Sequence, residues 1–238
     1  MTLLTIIEGA ADEIGLERPS TVVSNNDPQV RQLLRAAAQE GKYLAKSYNW
    51  QILKKEGSVT TAAQESQGVM TTIAGDFDRF ANDTMWNRTT STKIYGPLTD
   101  VQWQRVKADV TSGVNNWFRF RGGTLLFTPN PTASQSVKFE YYSERWVDQG
   151  TGATPAVADG VSFNNDANTV VFDEEIMALG VTYRWLKGRG LDYQAVLMEY
   201  RERLEIVKNQ DGAKPNIDMG GISYGHLGVN VPESAYGS

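Results

Sequence analysis

The sequence predicts an α+β protein: a four-helix bundle with an inserted antiparallel β-sandwich-like domain and an extended C-terminal arm. Three observations predict it. Apolar residues recur at three- and four-residue steps within residues 3–50 and again within 173–208. Between these stretches, short runs of Thr, Val, Phe, Tyr and Trp are separated by Gly, Pro, Asn and Asp, the composition of strands and turns. Beyond residue 208 the chain becomes glycine-rich yet keeps well-spaced apolar side chains. The expected division is a bundle from residues 1–56 and 172–208, a β domain over 57–171 and an arm over 209–238.

The first helix covers residues 3–15, with Leu3, Ile6, Ile7, Ala10 and Ile14 on one face and Gly15 as its stop. Asp27-Pro28 then places an N-cap ahead of a proline at the first helical position. Val30, Leu33, Ala37, Gly41, Leu44 and Tyr48 carry this second helix to about Trp50, and its Ala36-Ala37-Ala38 and Gly41 admit a close neighbour.

In the β region, residues 124–128 and 136–143 flank Pro129-Asn130-Pro131 and read as a hairpin. Val137, Phe139 and Tyr141 alternate there with Lys138, Glu140 and Tyr142, so one face is buried. Residues 117–121 before Gly122-Gly123 read as another strand, and residues 100–107 after Thr99 as a short helix. Asp173 caps a third long helix with Ile176, Leu179, Tyr183 and Leu186 as its buried stripe. Gly188-Arg189-Gly190 breaks it, Asp192 caps a fourth, and the pair reads as an αα-hairpin ending near Lys208.

Composition excludes several chemistries. The 238 residues include no cysteine, which removes disulfides, thiolate zinc sites and cysteine nucleophiles. The single histidine, His226, lies in the arm, far from the rigid scaffold that a catalytic triad demands. A net charge of -5 gives no global attraction for nucleic acid. No apolar run reaches the ~20 residues of a membrane helix. The N-terminal residues carry Glu8, Asp12 and Glu13 and no basic leader, and so read as a helix and not a signal peptide. The expectation is a protein made in a cytoplasm, without membrane attachment, catalytic centre, metal or cofactor.

Three acidic or glycine motifs invite a chemical reading. Asp173-Glu174-Glu175 suits a helix start, where carboxylates meet the positive end of the dipole. Gly188-x-Gly190 joins two helices and lacks the strand that a phosphate loop requires. Asp76-Phe77-Asp78 has alternating carboxylates but lacks the terminal Glu of a calcium loop. The same pair motivates a hydrolase reading, in which two carboxylates share one side of a strand. Trp86, Trp103, Trp117 and Trp146 motivate another, a glycan-binding tail or fibre attachment module.

The arm is the most distinctive segment. Gly212, Gly220, Gly221, Gly225, Gly228 and Gly237, with Pro215 and Pro232, interrupt regular structure. Ile217, Met219, Ile222, Tyr224, His226, Leu227, Val229, Val231 and Tyr236 nevertheless give it contact-forming side chains, with little charge between them. In extended form its thirty residues could reach roughly 100 Å. Such a segment reads as one that docks on another molecule.

Gly75-Asp-Phe-Asp-Arg79, Trp86, Ile94-Tyr-Gly-Pro-Leu98, Trp103, Phe118-Arg-Phe-Arg-Gly122, Leu125-Leu-Phe-Thr-Pro129 and Val137-Lys-Phe-Glu-Tyr-Tyr142 occur here in that order. With the flanking helices they resemble the head-to-tail adaptor proteins of short-tailed bacteriophages, the tail tubular protein A and tail accessory factor group. The resemblance covers nearly the whole chain. It implies a ring of identical subunits, usually twelve, beneath the portal of the virion, with double-stranded DNA passing through the lumen unread. It further implies that the arm grips the portal protein and that the β domain faces distal tail nozzle or fibre proteins.

Overall fold

The computed structural model describes residues 2–108, 116–150 and 158–212. Helix α1 (Leu3–Ile14) starts at Thr2, whose hydroxyl accepts from the Thr5 amide, and ends at Gly15 in the left-handed region at φ 75°. Helix α2 (Pro28–Ser47) is capped by Asp27, which accepts the Gln29 amide at 2.7 Å. It stops three residues short of Trp50, because Tyr48 turns extended and Trp50 donates its indole N–H back to the Leu44 carbonyl at 2.7 Å.

The strands are β1 (Lys54–Thr60), β2 (Ser66–Val69), β3 (Phe77–Phe80), β4 (Trp86–Asn87), β5 (Thr92–Tyr95), β6 (Asn116–Arg121), β7 (Thr124–Thr128) and β8 (Ser136–Ser143), followed by the short β9 (Val147–Asp148) and β10 (Thr169–Val170). Two short helices, α3 (Met70–Ile73) and α4 (Asp100–Ala108), lie among them. Helices α5 (Glu174–Arg189) and α6 (Gln194–Gln210) close the described chain. Asp173 caps α5 through the Ile176 amide at 3.1 Å, and Gly190 ends it at φ 72°.

The helices do not form the four-helix bundle expected from their stripes. Helix α5 packs against α1, α2 and α6, while α1 and α2 scarcely meet. The reason is visible along α5: Ile176 and Met177, then Leu179, Gly180, Val181 and Thr182, are buried, so apolar contact surrounds the helix and is not confined to one stripe. A single-stripe reading of Ile176, Leu179, Tyr183 and Leu186 missed this central role. The core around α5 also takes in Trp146, Val147 and Phe172, so Trp146 belongs with the helices and not with the strands.

The β-sandwich-like insert is likewise corrected. Eight strands form one curled mixed sheet, a half-barrel, in the order β1-β8-β4-β5-β6-β7-β2, with β3 also on β8. Strands β9 and β10 pair separately. Strands β5 and β6 are parallel, which requires a crossover, and α4 supplies it. Residues 124–128 and 136–143 are not a hairpin: β7 pairs with β6 and β2, whereas β8 pairs with β1, β3 and β4. The tight hairpin is β6–β7, turning at Gly122-Gly123. The alternation on β8 holds from Val137 to Tyr141 and breaks at Tyr142, which is buried as well. Val137, Phe139 and Tyr141 face a second core with Ile94, Phe118, Leu125 and Phe127.

Candidate functional site

Residues Ile217, Met219, Ile222, Tyr224, His226, Leu227, Val229, Val231 and Tyr236 of the expected docking arm lie outside the described residues. The root from which they emerge is described. Tyr48 donates to the Lys208 carbonyl at 3.3 Å, and the Asp211 carboxylate accepts the Gln51 amide at 3.0 Å. These bonds tie the end of α6 to the junction between α2 and β1. Beside them lies a shallow groove of about 250 Å³ lined by Trp50, Ile52, Phe172 and Val207. Ile52 is 55% exposed there, an apolar side chain left uncovered at the point where the arm begins.

Asp76 is only 7% exposed and is fully engaged. One oxygen accepts from the Tyr141 hydroxyl at 2.7 Å, the other from Lys55 Nζ at 2.6 Å and Ser143 Oγ at 2.8 Å. Burial pushes its pKa up, but these three donors together outweigh burial and hold it at about 2. Burial and the Asp76 charge push the Tyr141 hydroxyl well above its usual value. Asp78 is bound to Arg79 at 2.5 Å and to Lys46 at 3.6 Å. Arg79 in turn donates to the Tyr48 carbonyl at 2.7 Å and to Asn49 Oδ1 at 3.0 Å, clamping β3 to the end of α2. The two carboxylates therefore have separate partners and do not face each other across a cleft. Both are holding the sheet and helices together.

This geometry carries a pH prediction. The folded Asp76 carboxyl lies at about 2, below its ordinary 3.8. Its contribution to stability is thus complete above pH ~4–5 and is lost as pH falls towards 2, amounting to about 2 kcal/mol by linkage. Asp76→Asn removes that dependence. Chemical denaturation of both proteins between pH 7 and pH 2 should give curves whose separation shrinks as the medium becomes acidic.

No protein-family model matches this chain, and no curated protein matches it. The site must therefore be read from its own geometry. Among the described residues, no group of three or more acidic or histidine side chains could hold a metal, and no helix is long and apolar enough to cross a membrane.

The tryptophans divide. Trp103 and Trp146 are 2% and 1% exposed and serve as core. Trp86 and Trp117 share the outer face of the curled sheet. Trp86 stands opposite Lys93 on β5, Tyr95 lies two residues along that strand, and Tyr95 stands opposite Trp117 on β6. The Tyr95 and Trp117 rings are 5.3 Å apart, and Trp86 and Tyr95 are 43% and 38% exposed. The cations on this face are neutralised: Lys93 by Asp83 at 3.1 Å, Lys138 by Glu56 at 2.5 Å, and Arg119 by Asp100. Tyr95 had no sequence signal as a surface residue, because its position depends on the parallel β5–β6 register.

Proposed function

We propose that the protein is a structural adaptor of a short-tailed bacteriophage virion. It joins into a ring of twelve copies, docks beneath the portal through the C-terminal arm that carries Ile217 to Tyr236, extends the DNA channel and offers its β domain to the distal tail. The observation that carries this reading is the pairing of an apolar, glycine-punctuated segment with an uncovered apolar groove at its root. Order in such a segment needs partner surface, because each residue fixed costs roughly 1–2 kcal/mol of backbone entropy. Main-chain pairing to an exposed edge, with alternate side chains in pockets, is a docking mode open to it. The overall negative charge suits a conduit, since a carboxylate-lined lumen repels phosphate and lets DNA slide.

Combined substitution of Tyr224, Leu227 and Val229 by alanine should abolish cosedimentation with the cognate portal ring. The melting temperature should stay unchanged, because on this reading the arm packs on the portal and not on the cores of its own chain. Undiminished binding by the triple variant would remove the arm from the docking role.

A second reading is favoured by the neutral aromatic face of Trp86, Tyr95 and Trp117, which suits stacking of sugar rings. Glycan binding there predicts quenching of tryptophan fluorescence by the ligand, abolished in Trp86→Ala. An adaptor without receptor contact gives no sugar response.

A further inference from the structure

Two flanks of the helical layer carry opposite charges that no ion pair among the described residues neutralises. Between α2 and α5 lies a groove of about 290 Å³ walled by Arg35, Trp185 and Arg189. Neither Arg35 nor Arg189 has an acidic partner within 4.0 Å among the described residues, and Arg189 lies over the Trp185 ring at 5.0 Å. The Trp185 indole N–H is buried there without an acceptor. A concave site with two guanidinium groups that are unpaired among the described residues calls for carboxylates.

The exposed face of α6 supplies them. Glu199, Glu202 and Glu205 recur at three-residue steps on that face, and no cation among the described residues pairs with them. Met198, 68% exposed, lies in the same stripe. The stripe is convex and amphipathic, the form that fits a groove between two helices.

Groove and stripe sit on different flanks of α5. Thr182 donates to Glu13 of α1 at 2.9 Å, and Arg189 lies two turns further along that same line of the helix. Tyr183, about 100° round the helix, packs instead against Tyr193 and Tyr200 at 6.0 and 5.9 Å. One chain therefore cannot close the two surfaces on each other. A second copy can. We infer that α6 of one copy seats in the α2–α5 groove of the next, with its glutamates on Arg35 and Arg189. This contact is heterologous, and repeating it generates a ring or an open filament according to its rotation. The inference rests on the ring part of the proposed function and says nothing of the portal.

Sedimentation of the full chain over a range of concentration and salt tests it. Wild type associates, and does so less as salt rises. Glu199→Lys/Glu202→Lys/Glu205→Lys and Arg35→Glu/Arg189→Glu each remain monomeric alone, because like charges then meet. An equimolar mixture of the two associates again, since every contact in it joins opposite charges. The neutral variants Glu202→Gln/Glu205→Gln and Arg35→Gln/Arg189→Gln weaken association without reversing it, and guard against a fold lost to reversal. Association unchanged in both reversed variants overturns this interface and leaves the ring standing on other contacts. A wild-type chain that stays monomeric throughout, or a mixture that fails to recover while circular dichroism reports folded protein, also overturns it. Docking on the portal is read in a separate experiment, so its failure is distinguishable from these.

Discussion

Gly41→Ala should cost about 3 kcal/mol or more, beyond the usual overpacking penalty of roughly 1–3 kcal/mol. A Cβ at this position would overlap the six-membered ring of Trp146. The indole is 1% exposed and hemmed in by Phe163 and Phe172, at ring separations of 5.2 and 6.4 Å. It has no room to retreat, and α2 cannot move outward without uncovering Leu33, Ala37 and Leu44 from the same core. Substitution of an exposed neighbour such as Lys42 by alanine should change stability by no more than about 0.5 kcal/mol. Thermal melts of the two variants provide the comparison. Equal melting temperatures would mean that α2 does not rest on Trp146.

Glu40→Ala should be comparably damaging, at about 3 kcal/mol. Glu40 is wholly buried where α2, α5 and α6 converge. It accepts from the Tyr200 hydroxyl and from Arg184 Nε at 2.5 Å. Burial, followed by the Glu40 charge and hydrogen bond, drives the Tyr200 hydroxyl far above its ordinary value, so it remains a neutral donor. Gly180 makes room for the carboxylate: a Cβ there would stand 2.5 Å from Glu40 Cδ. Alanine leaves the Tyr200 hydroxyl unpaired and a cavity between three helices. Tyr200→Phe, which removes the donor but keeps the ring and leaves Arg184 on the carboxylate, should cost less, about 2 kcal/mol. Urea denaturation of both variants would show the ranking, and a Glu40→Ala protein as stable as wild type would deny the carboxylate its role.

The helices were the legible part of this fold. Gly15, Asp27-Pro28, Asp173 and Gly190 mark helix ends by local chemistry that needs no tertiary context. What could not be read was how these helices meet. Glu40 looks like any surface glutamate, and only the arrival of Tyr200 and Arg184 from distant segments makes it a buried keystone. The sheet failed in the same way. Residues 124–128 and 136–143 carry ideal hairpin signals, yet the Pro129-Asn130-Pro131 link sends them to opposite parts of the curl. Parallel pairing of β5 with β6 leaves no local trace, so the shared face of Trp86, Tyr95 and Trp117 stayed hidden. In sequence Asp76 stands out for its neighbour Asp78, whereas in the fold its partners are Lys55, Tyr141 and Ser143. The motif residues carrying the phage-adaptor resemblance are in large part these fold-determining ones, among them Asp76, Arg79 and Trp103.

On the proposed function, this chain couples other proteins through the arm that carries Ile217 to Tyr236. Native mass measurement of the cognate portal ring, mixed with the full chain and with a chain ending at Gly212, tests it most directly. The full chain should add a complete ring of copies to the portal, and the shortened chain, still folded, should add none. A shortened chain that loads the portal as fully as the intact one would contradict it.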